Sequence, residues 1–407
     1  MSVSRTSAWW RARRAIYYKG VASLRTTISC RLIAPLIVPV AVAAGAGQAA
    51  GPPDTVVDRL PLTPRARVIL AAPPAHSPVM SDGVIYVVLR TGTLAAYRGM
   101  DGAESWRVEI EAEQPLAAAG GLVLVASGGA VHALRGADGR VAWRTPVGTV
   151  TAAPVAHDGW GIAVTGVELV ALRLADGSVV WRQPRTDVDA LSGRPSVTTE
   201  RVYLPLSDGR LEARALATGA IDWTLRLDAA PSEILAAGDR LYVGSADGYF
   251  YCLAAADGAV KWRYRLGAAT RGLPAIEGSR VFVVALDHLA RAFDSGNGGR
   301  QWNKGVPYRP AAGPLVAGGT VLVAGPAAEL VTFDAVSGQP GPRMPLGGVL
   351  QGVPATGTIG QEQLLAAITG DLASGWTLAI FDSSYAIPLA PLTALPGEVV
   401  PITIPTR

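Results

Sequence analysis

The sequence is poor in cysteine, histidine and charged residues, and each shortage excludes a class of protein. It has two cysteines and four histidines in 407 residues, which argues against a disulfide framework and against a multi-cysteine zinc site. Charged residues make up 17% and hydrophobic residues 49%, so the chain builds a core and is not disordered. Its 47 glycines and 30 prolines are typical of short strands joined by turns, not of a helical bundle.

The net charge of +4 comes from the N-terminal segment. Residues 1–53 carry seven basic residues and no acid, which leaves 29 basic against 32 acidic residues in the rest of the chain. A nucleic-acid-binding protein needs clustered positive charge on its folded surface. The distribution therefore predicts no nucleic-acid partner.

Residues 1–53 have the layout of an export leader. A basic region precedes an apolar stretch from Leu32 to Ala46, and small residues follow it. The stretch is shorter than the roughly 20 residues of a membrane helix, so we expect a cleaved signal; an uncleaved anchor is the alternative and would be the only membrane contact. Cys30 precedes the apolar stretch and therefore does not match a lipoprotein signal, whereas Cys252 lies in an apolar run and is predicted to be buried.

A repeat of about 40 residues dominates the chain. Six tryptophans recur at this period, and each follows a glycine by four positions. The pairs are Gly102 with Trp106, Gly139 with Trp143, Gly177 with Trp181, Gly219 with Trp223, Gly258 with Trp262, and Gly298 with Trp302. A degenerate seventh copy contains Gly338, with Pro342 at the tryptophan position, and Phe381-Asp382 marks an eighth.

Each copy contains apolar runs separated by Asp-Gly or Gly-Asp turns, which are hairpin signals because glycine accepts positive φ. Four antiparallel strands in about 40 residues is the period of a β-propeller blade. The sequence therefore predicts an all-β propeller over residues 54–395 with eight four-stranded blades; seven is the alternative count. The ring-closing strand is either 65–71 or 399–404, the latter within the tail at 396–407.

The run Ala-Asp-Gly-x-Val-x-Trp-Arg at 137–144, 175–182 and 256–263 resembles the tryptophan-docking repeat of the PQQ-like, quinoprotein-type propeller family. The resemblance covers about residues 75–390. It implies that the six tryptophans and their glycines are structural blade-docking residues, each indole packing against the backbone of the next blade. The family includes dehydrogenases that bind pyrroloquinoline quinone above calcium and non-enzymatic outer-membrane assembly factors.

The residues for quinone chemistry are missing. The family's enzymes commonly use a Glu/Asn/Asp calcium set and an adjacent-cysteine disulfide, but this chain has no adjacent cysteines, and its only asparagines are Asn297 and Asn303. His76, His132, His157 and His288 lie at no metal-ligand spacing. Asp187 and Asp189 could form a carboxylate pair, although a solvated loop explains them better. We therefore expect no catalytic, cofactor-binding or metal-binding residues, and neither quinone nor calcium.

These observations favour an exported, non-catalytic, monomeric propeller that binds a protein partner in the periplasm or cell envelope. Its surface loops would supply the binding face, as in an outer-membrane assembly factor. Two alternatives remain open: a minimal quinone-dependent dehydrogenase, and a ligand-sensing ectodomain if the leader is retained. The sequence identifies neither the partner nor the binding face.

Overall fold

The computed structural model describes residues 62–185 and 190–383, and all regular secondary structure in these two stretches is β-strand. The strands form eight four-stranded antiparallel sheets. Most first strands contact the first strand of the next sheet, and β2 of the first sheet contacts β30 of the last, so the sheets form a ring. The chain is thus an eight-bladed β-propeller, which confirms the predicted fold and blade count; the alternative of seven blades is wrong.

The first four blades follow in chain order, each running from the innermost to the outermost strand. Blade 1 consists of β2 (Val79–Ser81), β3 (Val84–Val88), β4 (Thr93–Arg98) and β5 (Glu104–Glu109). Blade 2 consists of β6 (Ala117–Ala119), β7 (Leu122–Ser127), β8 (Ala130–Arg135) and β9 (Val141–Pro146). Blade 3 consists of β10 (Val155–His157), β11 (Trp160–Val164), β12 (Glu168–Arg173) and β13 (Val179–Pro184). Blade 4 consists of β14 (Ser196–Val197), β15 (Arg201–Pro205), β16 (Arg210–Ala215) and β17 (Ile221–Arg226).

The last four blades repeat this order until the ring closes. Blade 5 consists of β18 (Pro231–Ala237), β19 (Arg240–Ser245), β20 (Tyr249–Ala254) and β21 (Val260–Arg265). Blade 6 consists of β22 (Ala275–Glu277), β23 (Arg280–Ala285), β24 (Leu289–Asp294) and β25 (Arg300–Gly305). Blade 7 consists of β26 (Leu315–Ala317), β27 (Thr320–Val323), β28 (Glu329–Asp334) and β29 (Met344–Pro345). Blade 8 consists of β30 (Leu350–Ile359), β31 (Glu362–Asp371), β32 (Gly375–Asp382) and β1 (Thr63–Leu70).

An N-terminal strand closes the ring. β1 pairs antiparallel with β32, from Thr63 opposite Asp382 to Leu70 opposite Trp376. The first of the two segments proposed from sequence therefore supplies the fourth strand of blade 8. The other segment, 399–404, lies outside the described residues, as do the leader at 1–53 and the tail at 396–407.

Burial explains why the repeat has its hydrophobic pattern. The second and third strands of a blade are covered on both faces by neighbouring blades, and β3 and β4 are accordingly buried at every interior position. The fourth strand lies at the rim, where the six tryptophan-bearing strands alternate between exposed residues and residues that are buried or half-buried. Cys252 in β20 is fully buried, as its apolar surroundings predicted.

Candidate functional site

The six repeated tryptophans lie at the interfaces between consecutive blades. Each indole N–H donates a hydrogen bond to a backbone carbonyl oxygen of the following blade. The bonds run from Trp106 to Gly136 (2.7 Å), Trp143 to Leu174 (2.8 Å), Trp181 to Leu216 (2.7 Å), Trp223 to Ala255 (3.1 Å), Trp262 to Ser295 (3.3 Å) and Trp302 to Ala335 (3.2 Å). A buried indole N–H that lacks a partner is costly, so these carbonyls fix the ring at the interface.

In the next blade, the glycine of the turn between the third and fourth strands lies directly beneath each ring. A methyl group at Gly177 would be 2.4 Å from two ring carbons of Trp143, and the positive φ of 71° at this glycine also disfavours any side chain. The same contact places Gly139 under Trp106, Gly219 under Trp181, Gly258 under Trp223, Gly298 under Trp262 and Gly338 under Trp302. Glycine therefore serves two purposes here: it allows the turn, and it lets the indole approach the backbone.

Gly102 is the exception among the predicted glycines. Its neighbours are the side chains of Val68 and Ala66 in β1, which would lie 2.9 and 3.0 Å from a methyl group at this position. The outer strand of blade 8 is β1, which comes from the N-terminal segment and contains no tryptophan. Of the six predicted glycines, five therefore contact an indole and one contacts aliphatic side chains, and Gly338 of the degenerate seventh copy makes the sixth indole contact.

A second aromatic layer was missed by sequence reasoning. Side chains from the second strand of four blades lie beside the tryptophan of the same blade, with ring centroids 5.8–6.0 Å apart. The pairs are Tyr86 with Trp106, Tyr203 with Trp223, Tyr242 with Trp262, and Phe282 with Trp302. Alignment of the repeats would have revealed it, since all four occupy the third position of their strand.

One side of the ring carries the turns between second and third strands and the connections between blades; we call it the loop face. In blades 4, 5 and 6 the turn contains Asp208, Asp247 and Asp287, spaced at the repeat period. Each carboxylate accepts the backbone N–H two residues later, at 2.8–3.2 Å. These are turn-stabilising contacts, and their regular recurrence could have been detected in the sequence.

A side chain of the third strand binds each of these aspartates. Arg210 binds Asp208, the Tyr251 hydroxyl donates to Asp247 at 2.8 Å, and Arg291 binds Asp287. Burial, together with the neighbouring carboxylate, raises the pKa of Tyr251 to about 12. At neutral pH this phenol stays protonated and acts as a hydrogen-bond donor, not as a base.

The loop face of blade 8 exposes three aliphatic side chains. Ile69 near the end of β1 is 86% exposed, and Leu372 in the β31–β32 turn is 91% exposed. Val349, in the connection from blade 7, is 42% exposed, and its carbonyl accepts the Gly370 N–H at 2.9 Å. We call Ile69, Val349 and Leu372 the blade-8 tip.

The residues considered for metal or quinone chemistry are dispersed around the ring. His76 and His132 each contact a backbone carbonyl, at 3.1 and 3.3 Å, and burial lowers the pKa of His132. His157 ends β10 in blade 3, and His288 occupies a turn of blade 6. In residues 62–185 and 190–383, no three His, Cys, Asp or Glu side chains are placed to hold a metal ion. Asp187 and Asp189 lie outside the described residues.

The two asparagines also lie far from any shared centre. Asn297 sits in the outer turn of blade 6, where its Oδ1 accepts the Gly299 N–H at 2.7 Å, and Asn303 is exposed on β25. A cavity of about 170 Å³ between blades 7 and 8 is lined by residues that include Leu62, Val316 and Gln363, below the roughly 300–1,000 Å³ of typical ligand sites. In the described part of the chain, no helix is long and apolar enough to cross a bilayer.

Fold and blade interfaces define the class: an eight-bladed propeller of the PQQ-like type. The chain belongs to the family described as outer membrane protein assembly factor BamB, whose model matches residues 90–235 and 207–343, more than half of the sequence. The predicted family resemblance is thereby confirmed. A search of curated proteins finds no match.

Solved structures share the fold at low sequence identity. BamB from Moraxella catarrhalis superposes with a TM-score of 0.65 and 18% identity, over 79% of this chain and 99% of that one. Quinohemoprotein alcohol dehydrogenase from Comamonas testosteroni superposes with a TM-score of 0.62 and 13% identity, over 79% of this chain and 76% of that one. The computationally designed Ika8 protein superposes with a TM-score of 0.63 and 12% identity, over 77% of this chain and 98% of that one. One architecture thus carries an assembly factor, an enzyme and a designed protein, so function must be argued from side chains.

The described carboxylates and asparagines do not come together as the Glu/Asn/Asp calcium set considered from the sequence would require. The loop-face carboxylates Asp208, Asp247 and Asp287 belong to separate blades and are each bound by a side chain of their own blade. The only asparagines lie at the rim and in an outer turn. We therefore derive no reaction step through a quinone.

Proposed function

We propose that this protein is an exported, non-catalytic propeller that acts as a protein-interaction scaffold in the cell envelope. The observation that carries the proposal is the blade-8 tip, where Ile69 and Leu372 are almost fully exposed on the loop face. Single exposed aliphatic residues are common, but several at one end of one blade mark a surface that a partner covers.

The buried charges support binding rather than catalysis. Glu212 and Arg214 pair at 2.8 Å in blade 4, Arg291 pairs with Asp287 in blade 6, and Arg65 pairs with Asp382 in blade 8. A catalytic centre needs acid, base and electrophilic groups that converge on one reacting atom. Here each charge is neutralised within its own blade, and the pairs are distributed around the ring.

The tip indicates what kind of partner segment it would bind. Its aliphatic side chains form no deep pocket, and the Asp371 carboxylate beside Leu372 is held by the backbone N–H groups of Ala373 and Ser374. An apolar segment with a flanking basic residue would complement this surface. Outer-membrane assembly factors are the partner class that family membership suggests.

The proposal that the protein is exported depends on the leader at 1–53, which lies outside the described residues. Cleavage would release the propeller, whereas retention would make it a tethered ectodomain, the alternative noted from sequence. The mass of the mature N-terminus, measured on protein purified from the native envelope, distinguishes the two.

Site-specific photocrosslinking in native envelopes tests the scaffold role. We expect a crosslinker at Leu372 to capture a discrete partner, identified by mass spectrometry, while a crosslinker at Val336 captures none. Val336 is a matched control because it is 61% exposed and lies in the turn after β28, on the opposite face of the ring. Leu372→Glu should abolish co-purification of that partner, and Val336→Glu should leave it unchanged.

Two results would contradict the proposal. Equal capture at both positions would mean that the tip is an ordinary surface. Tight binding of pyrroloquinoline quinone and calcium by the purified protein, with reduction of a dye acceptor by an alcohol or sugar, would establish the enzymatic alternative.

A further inference from the structure

The outer strands of blades 5 and 6 carry uncompensated positive charge. β21 reads Val-Lys-Trp-Arg-Tyr-Arg and β25 reads Arg-Gln-Trp-Asn-Lys-Gly, five cations without an acid. None of the five lies within ion-pair distance of an Asp or Glu in the described part of the chain. They are Lys261, Arg263, Arg265, Arg300 and Lys304.

Four arginines in or directly before outer strands elsewhere in the ring pair with a carboxylate. Arg107 pairs with Glu104 at 2.5 Å, Arg182 with Glu168 at 2.8 Å, and Arg226 with Asp208 at 3.7 Å; Arg343 pairs with Glu329. Blades 2 and 8 each contribute one outer-strand arginine without an ion pair to the described residues, Arg144 and Arg67, whereas β21 and β25 together contribute five such cations. Since residues 54–407 are mildly acidic as a whole, the cations of β21 and β25 give the propeller a one-sided electrostatic field. We call these five side chains the basic rim.

The β21 part of the basic rim is exposed and partly apolar. Lys261, Arg263 and Arg265 are exposed on a regular strand, and Val260 beside them is 47% exposed. The Arg263 guanidinium lies 5.1 Å from the centroid of the Tyr249 ring, and Arg300 donates to the Tyr264 hydroxyl at 3.1 Å. Arg263 and Arg300 therefore lie beside aromatic rings, and exposed apolar surface accompanies the charge.

We propose that the basic rim binds the surface of an anionic lipid bilayer. Basic side chains near such a surface gain free energy without directed hydrogen bonds, and their apolar stems can enter the headgroup layer. A specific acidic protein segment would instead be recognised by bidentate arginines converging in a pocket, and single-stranded nucleic acid by aromatic rings open to stacking; the rim has neither. The inference does not depend on the identity of the blade-8 partner.

Vesicle co-sedimentation of the full chain tests this inference. The probes are phosphatidylcholine vesicles with and without phosphatidylglycerol, at low and at physiological salt. A K261Q/R263Q/R265Q variant should bind the anionic vesicles on the order of a hundredfold more weakly, about fivefold for each side chain removed. The matched control is R107Q/R144Q/R182Q, which removes the same charge from the outer strands of blades 1 to 3.

The control should lose less than about fivefold, and both variants should retain the wild-type unfolding midpoint. A salt-sensitive loss confined to the blade-5 variant supports the proposal. Equal losses in the two variants would mean that only net charge matters and would overturn it. Unchanged vesicle binding of the blade-5 variant, or binding to polyglutamate in preference to anionic vesicles, would overturn it as well.

Discussion

The ring is joined in two different ways. From blade 1 to blade 7, six interfaces use the same device, an indole that donates to a carbonyl of the next blade and lies on the glycine of its turn. The two interfaces of blade 8 use another. Val68 and Ala66 pack against Gly102 of blade 1, and Arg67 lies over the backbone of Gly347 at the end of blade 7.

Chain connectivity accounts for this difference. Within blades 1 to 6, the third and fourth strands are joined by a glycine-containing turn, so a glycine and a tryptophan arise in every repeat. In blade 8 the fourth strand comes from the other end of the chain, and no such turn exists between β32 and β1. Thr63 and Asp382, which face each other across this pairing, are 319 positions apart in sequence. The closing strand therefore needs side chains that specify its register.

Arg65 supplies that register. Its guanidinium binds Asp382 in β32, reaches Glu362 at the start of β31 at 3.1 Å, and donates to the Met100 carbonyl of blade 1 at 2.5 Å. One side chain thus connects three strands of blade 8 with the neighbouring blade. The comparison teaches that the same indole contact recurs through the body of the ring, whereas between β1 and its neighbours a charged contact adds to aliphatic packing.

The largest expected effect is on the repeated interfaces. Trp262→Ala should lower the free energy of unfolding by about 3–5 kcal/mol, because it removes a large interface side chain and leaves a cavity. Equilibrium chemical denaturation measures this loss. Trp160→Ala is the control: this half-buried tryptophan makes no indole hydrogen bond to the described residues and should cost clearly less. Equal losses, or a Trp262→Ala shift within experimental error, would contradict the stabilising role of the indole.

The repeated part of the fold could be predicted because the glycine–tryptophan pattern occurs six times in the sequence. Each glycine-containing turn followed by tryptophan reports one local hairpin, and local hairpins depend on neighbouring residues. Blade 8 was harder. Phe381-Asp382 hinted at its third strand, but the sequence left two segments as candidates for the closing strand, since pairing over such a separation has no local signature.

The candidate site could be predicted less well than the fold. The glycines and tryptophans follow from periodicity, whereas the blade-8 tip depends on which aliphatic residues remain uncovered after packing. Ile69 and Leu70 are adjacent in β1, yet one is 86% exposed and the other 4%. Their exposures differ because successive strand residues face opposite sides of the sheet. Which residue faces the core can be assigned only when the pairing register is known.

The next largest effect on stability is expected at the pairing of β1 with β32, which we call the seam of the ring. Arg65→Met should destabilise the protein by about 2–4 kcal/mol, because the Asp382 carboxylate, only 3% exposed, loses its main partner; the value is below that of a fully buried pair since the Arg65 side chain is 21% exposed. Hydrogen exchange should accelerate in β1 and β32 but not in blades 3 to 5. Adding Asp382→Asn should restore part of the stability. Uniform acceleration around the ring would show that the seam does not open separately.

The smallest expected loss of stability comes from glycine substitutions, which distinguish the cost of backbone strain from the cost of crowding an indole. Gly177→Ala and Gly148→Ala both place a side chain at positive φ, 71° and 87°, so both should destabilise through the left-handed backbone. Only Gly177 lies against an indole; a methyl group at Gly148 would meet nothing within 4 Å. Gly177→Ala should therefore cost about 1–3 kcal/mol more, through overpacking against Trp143. If thermal or chemical unfolding gives the same loss for both, the glycine is required by the turn alone, and the indole tolerates a larger neighbour.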